Sequence, residues 1–196
     1  MKEINEFGLI YKNPLPVLLH YFSQYPKKLV KKGSFFLIEG DELNDVILIE
    51  KGIMALNCRN EKGAKTIVFQ AGHSLMNEIH LLSGSKKSFL CGCAITNLEL
   101  RYMPYRDFCS YMDEDDEFFF EISFCIGERI KSMIFHLSNL RFTSAEEKLS
   151  YFLLEFKQFC KTNNFSKPLL TQKRISEALA LHRVTVAKTL RSLREC

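Results

Sequence analysis

No apolar run in this 196-residue sequence approaches the roughly 20 residues that a membrane-spanning helix needs. The N-terminus, MKEINEFGLIYKN, lacks the basic, apolar, then small-residue order of a secretory signal. Both absences point to the cytoplasm. The seven cysteines are an odd number and do not suggest a disulfide framework. There is no phosphate-cradling GxxxxGKT, no HExxH and no nucleophile motif with partners, so nothing assigns a catalytic residue or a metal site. What is present is an apolar content of 46%, enough for an ordinary core, in a length that suits one large domain plus a small one.

The formal net charge is a modest +4, but it is localised. In residues 171–196, Lys173, Arg174, Arg183, Lys188, Arg191 and Arg194 stand against Glu177 and Glu195, six basic groups to two acidic ones, and the rest of the chain is balanced. The same stretch, TQKRISEALALHRVTVAKTLRSLRE, reads as two short helices. Thr171 suits an N-cap. Ile175, Ala178 and Leu179 form one apolar face, with Lys173, Arg174 and Glu177 pointing away. A turn at Ala180-Leu181-His182 leads to a basic second helix that carries Val186, Leu190 and Leu193 inward. This is the pattern of a DNA-reading helix-turn-helix.

Ahead of it, Pro14 and Pro16 precede a short helix around Val17–Tyr25 that Pro26 ends. From Lys28 to about Arg106, apolar runs of strand length are divided by Gly33, Gly40, Gly52, Gly63 and Gly72. Glu39-Gly40-Asp41 and Asn60-Glu61-Lys62-Gly63 read as turns. A compact antiparallel β domain is expected.

The residues Gly33-x4-Ile38-Glu39-Gly40-Asp41-x3-Asp45-x-Ile47-x-Ile49-x2-Gly52 resemble the glycine-spaced core of the cyclic-nucleotide-binding β-roll. Followed by a long helix and a helix-turn-helix, they make the chain similar to the Crp–Fnr family of bacterial transcription regulators over about residues 17–195. The resemblance implies an α+β fold: an antiparallel β-roll, or cyclic-nucleotide-binding-like jelly roll, a long dimerisation helix and a helix-turn-helix DNA-binding domain. The corresponding divisions are an effector-sensing β-roll domain with its N-terminal helix at 1–112, a dimerisation helix at 113–141 and the DNA-binding domain at 142–196.

In the middle region, Asp113 to Glu117 suit the partly positive N-terminus of the long helix. Phe119, Ile126, Met133 and Leu140 repeat every seven residues, and Ile122, Arg129 and His136 repeat beside them, as the two stripes of a parallel coiled-coil seam between two copies. The alternative is that this face packs on the chain's own β-roll. Arg129 within it requires a carboxylate, an anion or solvent. Ser144-Ala145-Glu146-Glu147 forms a capping box for the next helix, and Lys161 to Pro168 a polar linker.

Cyclic-AMP-binding members of the family carry Gly-Glu and, about ten residues later, Arg-Ser. Here Asn77-Glu78 and Lys87-Ser88 stand at those places, one residue closer together. Lysine cannot make the bidentate fork of arginine, which counts against a cyclic nucleotide. The absence of cysteine before Cys58 argues against an iron–sulfur cluster. His73, His80 and His136 show no spacing that singles out haem, and Cys91 and Cys93 could form a redox switch or simply be buried. The runs HRVTVAKTL and DEDDEFFFEI resemble the halorespiration regulators of the same family, which respond to halogenated phenols. That likeness implies a small organic, possibly halogenated aromatic, anion as effector and no further cofactor. It would be met by Arg129 or Lys87, with Phe89, Ile126 and Ile130 as apolar walls, beside Asn77, Glu78 and Ser88.

For the reader, the resemblance places Arg183 and Lys188 at base- or phosphate-contacting positions and Thr171, Thr185 and Arg191 on phosphates. Val184 stands where cyclic-AMP-responsive members carry glutamate, which implies contact with a thymine methyl and a palindromic, A·T-rich duplex. The partners implied are double-stranded DNA, a small-molecule effector, a second copy of the chain and RNA polymerase, with no membrane. Family members continue into a two-stranded wing, whereas this sequence stops at Cys196. The alternatives are therefore a ligand-binding or protein-interaction module whose shortened reader does not bind DNA, and a cyclic-nucleotide-responsive regulator.

Overall fold

The computed structural model describes residues 9–10, 16–61, 63–162 and 170–195. In chain order the elements are β1 (Leu9–Ile10), α1 (Pro16–Ser23), β2 (Lys27–Val30), β3 (Phe35–Leu37), β4 (Asp45–Lys51), β5 (Ile53–Asn60), β6 (Gly63–Ala71), β7 (Ser74–Met76), α2 (Glu78–Leu82), β8 (Cys91–Ala94), β9 (Leu98–Pro104), α3 (Tyr105–Glu114), α4 (Asp116–Phe142), α5 (Ala145–Thr162), α6 (Gln172–Ala178) and α7 (Arg183–Glu195). The β-branched and aromatic runs between glycines form two facing sheets, in the orders β1-β6-β5-β8-β3 and β2-β9-β4-β7. Pairing is antiparallel apart from β1 against β6. Gly40, at φ 90, sits in the turn closed by Asp41 N–H donating to Ile38 O at 3.1 Å. Asn60 pairs with Gly63 across the β5–β6 hairpin. Pro14, Lys62, Cys196 and most of the polar linker lie outside the described residues.

The two-residue period of a strand splits β5 and β6 between two cores. Met54, Leu56 and Val68 face the space between the sheets, where Val46, Leu48, Leu75 and Leu100 meet Phe22 of α1, Phe108 of α3 and Phe118 and Ile122 of α4. Ile53, Ala55, Phe69 and Ala71 face outward onto a second core with Leu149 and Phe152 of α5, Ile175 and Ala178 of α6, Leu179 and Val186. The helix-turn-helix is thus docked on the outer face of the β-roll through shared apolar burial.

The acidic run does not open a single helix. Asp113 and Glu114 end α3, and Asp115, with extended backbone, caps α4 by accepting from Glu117 N and Phe118 N at 2.8 and 2.9 Å. A cap carboxylate that satisfies two otherwise unpaired N–H groups sets the start of α4 at Asp116.

The two heptad stripes on α4 also fall differently from the expected seam. Ile122 is fully buried in the first core, Ile126 packs against it, Arg129 turns to α2, and His136 lies beside the Ile67 backbone. The exposed apolar face runs through Phe119, Phe120, Phe124, Ile130, Met133, Ile134 and Leu137. It is rotated from the expected seam by about one residue, or ~100°. The β-roll takes the Ile122–Arg129–His136 stripe, because a buried guanidinium goes to the face that supplies a carboxylate.

At the break, Thr143 N–H donates to Asn139 O, and Ser144 N–H donates to Glu147 Oε2 at 2.8 Å while Glu147 N–H donates to Ser144 Oγ at 3.2 Å. This reciprocal capping box opens α5.

Candidate functional site

The second sheet delivers β7 to a sharp corner at Asn77, which holds φ 71 and ψ −14 as it caps α2. Asparagine tolerates this left-handed region better than most residues, so the corner keeps a shape that glycine would otherwise supply. Asn77 Nδ2 donates to Asp45 O at 3.2 Å. The next residue, Glu78, has a side chain with no exposed surface, and its carboxylate forms an ion contact with Nη1 of Arg129, whose own side chain is 12% exposed. Arg129 Nη2 donates to Leu75 O at 2.5 Å. The guanidinium that the sequence requires to be compensated is compensated within the chain.

These residues wall a cavity of about 180 Å³ between the inner face of β5 and β6, α2, the Phe89–Leu90 segment and α4. Leu56, Met76, Leu90 and Met133 make it mainly apolar, and Gln70, Asn77, Glu78, His80 and Arg129 are the polar residues in its wall. Gln70 Oε1, Asn77 Oδ1 and His80 Nε2 are buried there without a hydrogen-bond partner, and neither oxygen of Glu78 accepts an aligned hydrogen bond. The His80 ring lies against Phe89 with centroids 4.4 Å apart.

Burial holds the His80 imidazole below its ordinary pKa of 6.5, with Glu78 pulling it up and Arg129 pushing it down. Burial lowers His136 as well, opposed by the Ile67 backbone. Groups depressed in the folded state bind protons more readily when unfolded. Their contribution to stability is therefore full above the unfolded value and shrinks as pH falls below it. Urea midpoints are expected to drop from about pH 7 to about pH 5.5, and His80→Gln with His136→Gln to flatten that decline. An unchanged slope in the double variant would place the acid sensitivity elsewhere.

Of the residues expected for effector binding, Asn77, Glu78, Phe89 and Arg129 line the cavity, and Lys87, Ser88, Ile126 and Ile130 do not. Lys87 is exposed on the surface. The Ser88 hydroxyl is engaged locally, donating to Leu90 O at 2.9 Å and accepting from Leu90 N at 3.2 Å. Ile126 packs against the first core, and Ile130 is 52% exposed on the open face of α4. Leu56, Gln70, Met76, Ile79, His80, Leu90 and Met133 also line it without having been expected there, and among them Gln70 carried a signal in the sequence. Its signal was a lone amide at an inward position of the apolar run KTIVFQAG. Cys91 and Cys93 are both buried, and His73 sits at φ 65 in the β6–β7 turn. Among the described residues, no three His, Cys, Asp or Glu side chains gather into a metal site, and no helix is long and apolar enough to cross a membrane.

In the helix-turn-helix, Ala180 turns the chain at φ 50 between α6 and α7. The hydroxyl of Thr171 accepts from Arg174 N at 3.3 Å as the N-cap of α6. Arg183, Val184, Lys188 and Arg191 are exposed and Thr185 is half-buried. Val184, Lys188 and Arg191 follow one another at i, i+4 and i+7 on the face away from buried Val186.

Two side chains expected to point away do not. Glu177 Oε2 accepts from Thr66 N at 3.1 Å on β6, and Arg174 Nη2 donates to Cys93 Sγ at 3.5 Å on β8. Leu193, expected inward, keeps 37% of its surface exposed. Docking on the sheet turned the outer edge of α6 into an interface, while the end of α7 extends past the apolar cover.

A β-roll with a cavity closed by a long helix, and a helix-turn-helix behind it, define an architecture shared with a group of solved structures. No family model matches the sequence, and no curated protein does. FixK2 from Bradyrhizobium japonicum is similar at 15% identity and a TM-score of 0.73, over 87% of this chain and 85% of that one. CprK complexed with OCPA is similar at 20% identity and a TM-score of 0.65, over 93% and 84%. CLP, a c-di-GMP-responsive global regulator of Xanthomonas campestris, is similar at 10% identity and a TM-score of 0.69, over 92% and 91%. The chain has the α+β fold of the Crp–Fnr transcription regulators.

Proposed function

We propose that the chain is an effector-responsive, sequence-specific DNA-binding transcription regulator that works as a homodimer. The observation that carries this reading is the coupling of a presented recognition face to a ligand-sized cavity. The Val184–Lys188–Arg191 stripe of α7 faces solvent. The same helix-turn-helix is tied to the β-roll through the second core and through Glu177 and Arg174. A ligand that shifts α2 against α4 changes the support on which the reader stands, which is an allosteric linkage between two sites. The exposed apolar face of α4 supplies the surface for a second copy. Two-fold symmetry of that pair would present two readers to a palindromic duplex. An aliphatic Val184 at 55% exposure favours a thymine methyl over a hydrogen-bonding base edge.

The outward placement of Lys87 and the engaged hydroxyl of Ser88 support an effector other than a cyclic nucleotide. Aromatic acids enter as candidates because CprK has been solved with OCPA and, oxidised, with o-chlorophenolacetic acid. In this chain such an anion would compete for Arg129 with Glu78, which already pairs with it.

Anisotropy titration with palindromic A·T-rich duplexes tests the reading. Lys188→Ala is expected to weaken binding to all sequences alike and to lower the salt slope by about one, the mark of one lost phosphate contact. Val184→Glu is expected to move base preference at one position per half-site by about 1–3 kcal/mol. Binding that shows neither salt dependence nor preference over random duplex would instead identify a ligand-binding or interaction module.

A further inference from the structure

We propose that the cavity between α2 and α4 takes a compact planar molecule that donates N–H hydrogen bonds and carries no negative charge, an amidine or amino-heterocycle, rather than an organic anion. The inference rests on reading this cavity as the effector site.

The direction of its amides carries the argument. Gln70 Nε2 donates to Leu75 O at 3.0 Å, and Asn77 Nδ2 donates to Asp45 O at 3.2 Å. Turning either amide over would set oxygen against a carbonyl oxygen, so Gln70 Oε1 and Asn77 Oδ1 are the ends left without a partner. Gln70 and Asn77 are 1% and 6% exposed, and Glu78 is 0% exposed. Three side chains that line one small space therefore hold acceptor oxygens buried at its wall without a hydrogen-bond partner.

The cation beside them is already committed. Nη1 of Arg129 meets Glu78, and Nη2 donates to Leu75 O. The Glu78–Arg129 pair is neutral overall. An incoming anion would add acceptors to acceptors and strip a fully buried carboxylate of its counter-charge. An N–H donor does the reverse, satisfying oxygens whose burial without a partner is unfavourable. The Phe89 ring over His80 at the rim gives a flat molecule an aromatic surface, and half-exposed Ile79 and Met133 mark the way in.

Benzamidine and benzoate share one ring and exchange donor for acceptor and cation for anion, so calorimetry of the full chain with each reads the proposal directly. Benzamidine is expected to bind roughly tenfold tighter than benzoate or better. Gln70→Met should weaken benzamidine about fivefold and leave benzoate unchanged. Glu78→Gln, which releases Arg129 from its carboxylate, should reverse the preference. Melting curves of both variants check that they fold, and the two-probe comparison on the unmodified chain needs no variant. Equal or tighter binding of benzoate to the unmodified chain, or no saturation by benzamidine at millimolar concentration, overturns the inference. If both probes bind and neither variant alters either, the cavity is not the effector site, and it is the underlying reading that fails. If the variants act on benzoate alone, the site stands and the donor assignment falls.

Discussion

Arg129→Met is expected to lower the stability of the folded chain by about 3–5 kcal/mol, the cost of leaving a buried partner charge uncompensated. Methionine approximates the length of the arginine stem but carries no charge, so the loss falls on Glu78 and on Leu75 O, which gives up its guanidinium donor. That carboxylate has no exposed surface, and neither oxygen has an aligned hydrogen bond to fall back on. The double variant Arg129→Met with Glu78→Gln removes both charges and should recover most of the loss, with a coupling above about 2 kcal/mol in urea unfolding. A single variant within about 0.5 kcal/mol of the parent, the range of an ordinary surface change, would mean that the pair does not hold α4 to α2.

Gly52→Ala is expected to cost about 4 kcal/mol, from two sources that separate experimentally. Gly52 alone joins β4 to β5 and holds φ +98, a conformation strained for any residue with a Cβ. An added Cβ would also lie 2.4 Å from Asn97 O and 2.7 Å from Thr96 Oγ1 and Leu98 Cδ2. The backbone atom cannot step aside, because Thr96 N and Ile95 N both donate to Ile53 O, and Thr96 Oγ1 accepts from Ile53 N at 2.9 Å. Gly84→Ala supplies the comparison, since Gly84 holds φ +78 with nothing within 4 Å of an added Cβ. Its expected loss of about 1 kcal/mol measures the backbone term alone. Equal losses at the two positions would show that the β4–β5 corner relaxes around the methyl.

Glycine spacing was legible because the requirement it meets is local. Gly33, Gly40 and Gly52 each take positive φ, and that need is written into the residue type. Capping was legible for the same reason: Ser144 and Glu147 exchange hydrogen bonds over three residues, and Thr171 caps α6. The seam on α4 was only half legible. Heptad spacing identifies a face but not its neighbour, and the stripe through Ile122, Arg129 and His136 fits a β-roll as well as it fits a second helix. Glu78 matches a glutamate position of the cyclic-AMP-binding regulators that the sequence resembles, yet its partnership with Arg129, 51 residues on, has no trace in either local pattern.

By itself, then, the sequence determined the succession of β-roll, long helix, linker helix and helix-turn-helix, the strand and helix periods, the caps at Ser144 and Thr171, the tight turns and the concentration of positive charge on the last two helices. Each of these depends on residues within a few positions of one another. Only the tertiary structure decided that Arg129 spends its charge on Glu78, that the Gln70 and Asn77 amides give their N–H groups to backbone carbonyls and leave their oxygens unpartnered, and that the helix-turn-helix lies on the outer sheet face through Glu177 and Arg174. Those outcomes depend on which distant groups share a low-dielectric space. Desolvation there makes pairing obligatory, while the choice of partner belongs to the packing of α2, α4 and the two sheets.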